Sequence, residues 1–313
     1  MKLLKKFLTK KNNFLYFLIL SFLFLSSSAM VISKNGSPVQ QFTSSTVHSS
    51  KSFPPLPVLG ANTFYPVLSA QGVYAVDVDS GISLYEKNPD APLLPASTTK
   101  IITALVALDY YQLDSVLTVG KEVNVTGQKM RLYPGEKMKV EDLLYGLLVY
   151  SANDAAEVLA KNYEGGYDAF INAMNAKAQS LSLANSHFDN PVGLDGNSQR
   201  STARDLVRVS EVAMRNPTFS KIVGTKDKVV TDVSGKILHN LKNVNELLGI
   251  VTGVVGVKTG WTESSRENLV TYIVLDNHKI MIALLGSSDR FGETKELINW
   301  IFENYNWQEV KNP

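Results

Sequence analysis

The hydrophobic pattern changes rhythm along the chain. Residues 14–25 form a dense apolar run, Phe14-Leu15-Tyr16-Phe17-Leu18-Ile19-Leu20-Ser21-Phe22-Leu23-Phe24-Leu25. After a polar stretch, apolar and polar positions alternate through Gly72-Val73-Tyr74-Ala75-Val76-Asp77-Val78. The pattern breaks at Asp79-Ser80-Gly81 and returns through Ile82-Ser83-Leu84-Tyr85, which predicts a β-hairpin with glycine at its turn. The apolar spacing then lengthens to three and four and predicts helices over 99–111, 140–150, 154–162, 167–181 and 201–215. The last opens with Ser201-Thr202-Ala203-Arg204-Asp205, capping residues with an acid in the first turn. Strands return late: Gly256-Val257-Lys258 leads a short one, and 268–275 and 279–285 flank Asp276-Asn277-His278 as a second hairpin. An amphipathic helix over 293–305 closes the pattern. Strands at both ends bracketing a helical middle predict an α+β fold, with an antiparallel sheet of about five strands flanked by helices and an all-helical insertion after the first hairpin.

Charge and composition change the picture mainly at the N-terminus. Lys2, Lys5, Lys6, Lys10 and Lys11 precede the apolar run with no acid among them, and Ser26-Ser27-Ser28-Ala29 follows it. That order is a secretory signal. It fits a cleaved signal ending near Ala29 and equally a retained anchor, because Met30-Val31-Ile32 extends the run to about 19 residues, near a bilayer's span. In both cases the lysines stay inside and the rest of the chain is extracytoplasmic. Residues 33–62 turn to Ser, Thr, Pro and Gln, as in Thr43-Ser44-Ser45-Thr46 and Pro54-Pro55-Leu56-Pro57, and read as a flexible linker. The expected organisation is therefore 1–32 signal or anchor, 33–62 linker, and 63–313 one catalytic domain. The formal charge of +2 lies partly in the leader, and no basic stripe or nucleic-acid motif appears, so a polyanionic partner is not expected. The chain has no cysteine, which excludes disulfides and thiolate catalysis.

The candidate chemistry starts at Pro95-Ala96-Ser97-Thr98-Thr99-Lys100, which runs into the apolar helix beginning Ile101-Ile102-Thr103-Ala104. Ser97 and Lys100 lie three apart, on one face of a helix start. A serine hydroxyl needs a base within reach, and a lysine becomes one when burial, a neighbouring cation and the positive helix end depress its pKa. Alone, the spacing reads more readily as a serine cap and a solvated lysine in the first turn. Two short motifs follow in order. Ser151-Ala152-Asn153 comes after the apolar helix ending Val149-Tyr150, and Lys258-Thr259-Gly260 sits on the late strand. Ser-x-Asn recurs as Ser33-Lys34-Asn35 and is cheap, but Ser-x-x-Lys and Lys-Thr-Gly each occur once, in matching contexts. Together the three form the set found in class A β-lactamases and penicillin-binding proteins.

With those motifs the chain resembles the serine D-alanyl-D-alanine carboxypeptidases, the low-molecular-mass penicillin-binding proteins of peptidase family S11. The likeness extends through Val76-Asp77-Val78-Asp79-Ser80-Gly81, Asn190-Pro191-Val192-Gly193-Leu194-Asp195, Leu285-Gly286 and Asp289-Arg290-Phe291. It implies a β-lactamase/transpeptidase-like fold without cofactor or metal, acting on peptidoglycan stem peptides and acylated by β-lactams. It implies Ser97 as nucleophile, Lys100 as its base and Ser151 as proton relay to the leaving amine. It gives Asn153 the substrate backbone, Lys258 the positive charge beside Lys100, and Thr259 and Arg290 the substrate carboxylate. Backbone N–H groups of Ser97 and Trp261 would form the oxyanion hole, with Gly260 letting the substrate approach the strand.

Two departures stand out. Where relatives show Ala-Gly after the Lys-Thr-Gly strand, this chain has Ser264-Ser265-Arg266-Glu267-Asn268. It also stops soon after its last helix, without the C-terminal β-domain of many relatives, which leaves the N-terminal segment as the expected membrane attachment. His187 suggests a triad but reads as structural, since Lys100 already fills the base role, and four unpaired histidines make no metal site. A β-lactamase is the weaker alternative: the stretch 187–202 holds no glutamate to activate a deacylating water. A catalytically idle penicillin-binding scaffold or sensor is another, opposed by the intact set of five polar residues.

Overall fold

A computed structural model describes residues 53–121, 123 and 125–310. The leader and most of the linker lie outside the described residues. In chain order the elements are β1 (Leu56–Leu59), β2 (Gly72–Asp77), β3 (Ser83–Lys87), a 3-10 turn (Ala96–Thr99) and α1 (Lys100–Tyr110). Next come β4 (Val116–Thr118), β5 (Lys137–Lys139), α2 (Val140–Leu148), α3 (Asn153–Lys161), α4 (Gly166–Ser180), α5 (Ala203–Met214) and α6 (Pro217–Val223). The chain finishes with β6 (Asp227–Thr231), β7 (Leu238–Lys242), β8 (Val254–Thr262), β9 (Arg266–Leu275), β10 (His278–Ser287), α7 (Arg290–Asn304) and β11 (Tyr305–Gln308).

Five strands form the antiparallel sheet in the order β3-β2-β10-β9-β8, which leaves β8 at an edge. Its two faces follow the period-two alternation of side chains. Val73, Ala75, Leu269, Ile273, Ile280, Ile282 and Leu284 pack with Leu297, Ile298 and Ile301 of α7. The alternate positions Tyr74, Val76, Val270, Met281, Ala283 and Leu285 join the helical lobe. Coverage on both faces explains why β10 reads as a continuous apolar run rather than a clean alternation. Helix α1 is buried nearly all round, with Ile101, Ile102, Ala104, Leu105, Val106 and Ala107 in the core. Truncating one of its large side chains costs about 2–5 kcal/mol. The helix carrying Lys100 is thus one of the least movable parts of the molecule.

The α+β sheet and the five long helices agree with the sequence expectation within about two residues at most ends. Three boundaries are corrected. The linker does not run to residue 62: Leu56–Leu59 pairs antiparallel with Tyr305–Gln308, and the buried Pro57 tolerates a strand without a central position. The final helix starts at Arg290 rather than 293, because the Asp289 carboxylate accepts the Gly292 N–H and caps it. His278 belongs to β10, and the turn is only Asp276-Asn277, both with positive φ as a two-residue hairpin requires. The α6 helix and the β4–β5 and β6–β7 ribbons were not anticipated.

Candidate active site

Ser97 sits in the 3-10 turn that feeds directly into α1, so Lys100, the first residue of that helix, comes back over it. The Lys100 Nζ donates to Ser97 Oγ at 2.8 Å, to Asn153 Oδ1 at 2.7 Å and to the Val192 carbonyl at 2.7 Å. The side chain is fully buried. Burial is the largest cause holding the Lys100 pKa well below its ordinary value; the Lys258 charge adds to this and Asp154 opposes it. A neutral amine has two N–H groups and one lone pair, so three close oxygens leave one position for taking a proton.

The turn is fixed by contacts with two loops and one strand. Ala96 has a positive φ of 47°. The Thr98 hydroxyl donates to the Pro95 carbonyl at 2.6 Å, and Gln199 Nε2 donates to Thr99 Oγ1 at 2.9 Å. Gly193, with φ of 87°, lies so close that a Cβ there would overlap the Ala96 carbonyl. Its own loop is gathered by Asn190, whose Oδ1 accepts the N–H groups of Val192, Gly193 and Leu194. On the other side an ideal Cβ on Gly260 would stand 3.0 Å from the Pro95 carbonyl and 3.1 Å from Ser97 N. Glycine at 260 therefore lets β8 lie against the nucleophile turn, which brings the Trp261 and Ser97 backbones to the same end of the cleft.

Ser151 sits in the tight connection between α2 and α3, with φ of 63°. Lys258 reaches it from β8, its Nζ donating to Ser151 Oγ at 2.8 Å and to its neighbour's carbonyl, Thr259 O, at 3.0 Å. Burial, with a smaller contribution from the Arg290 charge, lowers the Lys258 pKa to about 7. Asn153 begins α3 and is held by Thr126 O, which accepts from Nδ2 at 2.6 Å, and by Gln128 O, which accepts its N–H at 2.7 Å. Arg290 opens α7; its Nη1 donates to the Gly260 carbonyl at 2.9 Å, while the buried Nε has no protein partner. Burial lowers its pKa as well.

These side chains surround a cleft of about 610 Å³ that Ser97, Ser151, Asn153, Thr259, Gly260, Trp261 and Arg290 all line. Every catalytic and substrate-binding candidate read from sequence is thus at or directly behind one surface, Lys100 and Lys258 lying beneath it. The arrangement offers a serine with an adjacent depressed-pKa amine, a second Ser–Lys pair opposite, and cationic groups for an anionic end. His187 is not among these residues; it faces Asp189 at 3.4 Å. Among the described residues no group of three or more His, Asp or Glu could hold a metal ion.

Sequence reasoning missed the Val192 carbonyl, Gly193 and Asp154. Asp154 accepts the N–H groups of Met130 and Leu132, at 3.1 Å each, and so shapes the loop behind Asn153. The run Asn190-Pro191-Val192-Gly193, an asparagine ahead of a proline and a glycine, was the available signal for that loop's turn.

The family model for D-alanyl-D-alanine carboxypeptidases matches residues 61–289. The chain is 35% identical over 246 residues to the D-alanyl-D-alanine carboxypeptidase DacB2 of Mycobacterium tuberculosis, covering 74% of this chain and 82% of that one. It is 31% identical to the carboxypeptidase DacF of Bacillus subtilis, covering 75% of this chain but only 63% of DacF. The crystal structure of the Streptomyces K15 DD-transpeptidase superposes with a TM-score of 0.73 at 32% identity, over 77% of this chain and all of that one. The sheet, the helical lobe and the order of the three motifs thus have one explanation: the chain belongs to the D-alanyl-D-alanine carboxypeptidase family of serine peptidases.

Proposed function

We propose that the chain removes the terminal D-alanine from peptidoglycan stems ending in D-Ala-D-Ala, with water as the acceptor, on the outer side of the cytoplasmic membrane. The observation that carries this reading is the seat of the Lys100 amine, buried and 2.8 Å from Ser97 Oγ. Ser97 Oγ attacks the carbonyl between the two D-alanines as its proton passes to Lys100 Nζ. The Ser97 and Trp261 N–H groups receive the developing oxyanion. Ser151, hydrogen-bonded to Lys258, relays the proton taken up by Lys100 to the leaving amine, the C–N bond breaks, and D-alanine departs from a Ser97 ester with Lys100 neutral again. Water then attacks that ester and gives a proton to Lys100, which passes it to Ser97 Oγ as the acyl–oxygen bond breaks and the serine is restored. Thr259, Lys258 and Arg290 favour the free carboxylate of the peptide's C-terminus. A β-lactam, which mimics the dipeptide, forms the same ester.

The basic and apolar leader supports export, and the bilayer-length run 14–32 supports a tether where it is kept. Recovery of the protein with membranes rather than in the medium supports that tether; release into the medium removes it. The activity is tested by D-alanine release from a D-Ala-D-Ala peptide, for the parent and for Ser97→Ala. Release by the parent alone supports both carboxypeptidase and nucleophile. Labelling of Ser97 by a fluorescent penicillin with transfer only to an added amine would replace hydrolysis by transpeptidation, as the name of the Streptomyces relative suggests for that protein. The absence of both release and labelling would overturn the reading.

A further inference from the structure

One buried titratable pair takes no part in the chemistry above. His239 on β7 and Glu136, just before β5, have side-chain exposures of 4% and 0%. His239 Nδ1 stands 2.9 Å from the Met130 carbonyl and Nε2 stands 2.7 Å from Glu136 Oε1. A carbonyl only accepts, so Nδ1 carries hydrogen. The contact between Nε2 and a carboxylate oxygen also needs a proton, whichever atom holds it. The pair therefore carries one proton more than a neutral ring beside an ionised carboxylate. Without that proton, a ring lone pair would face a buried anion, which is costly where water does not reach.

The pair grips a wall of the cleft. Met130 is held on one side by Asp154, which accepts its N–H, and on the other by His239, which donates to its carbonyl. Glu136 Oε2 accepts the Tyr133 N–H at 2.8 Å and closes the same loop. Earlier in that loop, Thr126 O and Gln128 O hold Asn153, whose Oδ1 accepts from Lys100. Gly127 and Gln128 line the cleft itself. The charged and titratable groups bordering the imidazole's cavity are Lys129, Arg131, Tyr133 and Tyr150, with Asp154 beyond Met130.

We infer that His239 and Glu136 are positioning residues: by sharing one proton they hold segment 126–132 as the cleft wall and keep Asn153 seated against Lys100. The inference rests on the cleft being the active site.

Glu136→Gln tests it, because an amide can replace the shared proton. Its oxygen can still accept from Tyr133 while its NH2 donates to Nε2, which keeps the grip, whereas Glu136→Ala removes both contacts. Two quantities are compared among parent, Glu136→Gln and Glu136→Ala. One is KM for D-alanine release; the other is amide hydrogen exchange across 126–132. Glu136→Ala should show a higher KM and exchange in that segment about tenfold faster than the parent, with kcat little changed, and Glu136→Gln should stay close to the parent. His239→Phe should exchange as fast as Glu136→Ala. Superimposable KM and exchange for parent and Glu136→Ala, or a Glu136→Gln as fast as Glu136→Ala, overturn the inference. Should Glu136→Ala fold poorly, His239→Phe decides: KM and exchange in 126–132 at the parent's values overturn it too. Exchange does not depend on turnover, so its outcome stands even if the carboxypeptidase reading fails.

Discussion

Lys100 and Ser97 lie three residues apart on one helical start, whereas Lys258 and Ser151 meet across 107 positions, from an edge strand to an interhelical turn. Both amines are buried and both donate to a serine at 2.8 Å. Their surroundings set them apart. Lys100 has oxygens from three segments around Nζ and a second lysine nearby, which suits an amine that must give up its proton. Lys258 has one serine and one carbonyl, and a pKa of about 7 that leaves it divided between charged and neutral forms near neutrality. In the proposed function the local pair serves proton abstraction, and the long-range pair combines proton relay with an anion's binding charge.

Removing the local pair's base should break this division most severely. Lys100→Met is expected to slow acylation by a fluorescent penicillin by about 10³–10⁴-fold, near the upper range for a positioned base. A variant acylated at the parent's rate would show that Lys258 can do both tasks. Displacing the nucleophile without touching either amine should do less. Gly193→Ala forces the Ala96 carbonyl to move and should cost about 10²-fold in kcat/KM, the scale of a misplacement of about 1 Å.

The smallest effect separates the pairs by stability. The Lys258 pKa of about 7 lies below the ordinary value of about 10.4, so between those limits the unfolded chain binds more protons and stability rises with pH. Below about 7 the cost of the buried ammonium is fully present. Lys258→Met should therefore raise Tm at about pH 6 by on the order of 5 °C, with the gain shrinking toward about pH 9. A gain that does not change with pH would mean that packing, not charge, is responsible. In activity the sign is opposite: the parent's KM for a carboxylate-ended peptide should climb above about pH 7 as the ammonium is lost.

The local pair was legible because three residues on a helix start fix their own geometry. Ser151 and Lys258 were legible only through motif order, since nothing in their own neighbourhoods says that they meet. The Val192 carbonyl that completes the Lys100 seat could not be read at all, because a backbone oxygen leaves no trace in residue type. His239 and Glu136 had no spacing to betray them, lying 103 positions apart. The β6–β7 ribbon escaped because Val229 and Leu238 are exposed, which blurs the alternation that marks a half-buried strand. Helix α6 did carry a start signal, since Asn216 caps it and Pro217 opens it, but its seven residues are too few for a periodic stripe. The α1 core and the sheet were legible for the opposite reason: length and burial make the period visible.

The open edge of β8 has a consequence beyond catalysis. An unpaired strand edge invites any extended chain, including another copy of the same protein, to continue the sheet. Here the Ser97 turn already lies against Gly260 on that strand. A single narrow peptide can enter such a slot, while a second folded domain is kept out by the turn. Under the proposed function, the geometry that would admit a stem peptide also guards the protein against polymerising through its own cleft.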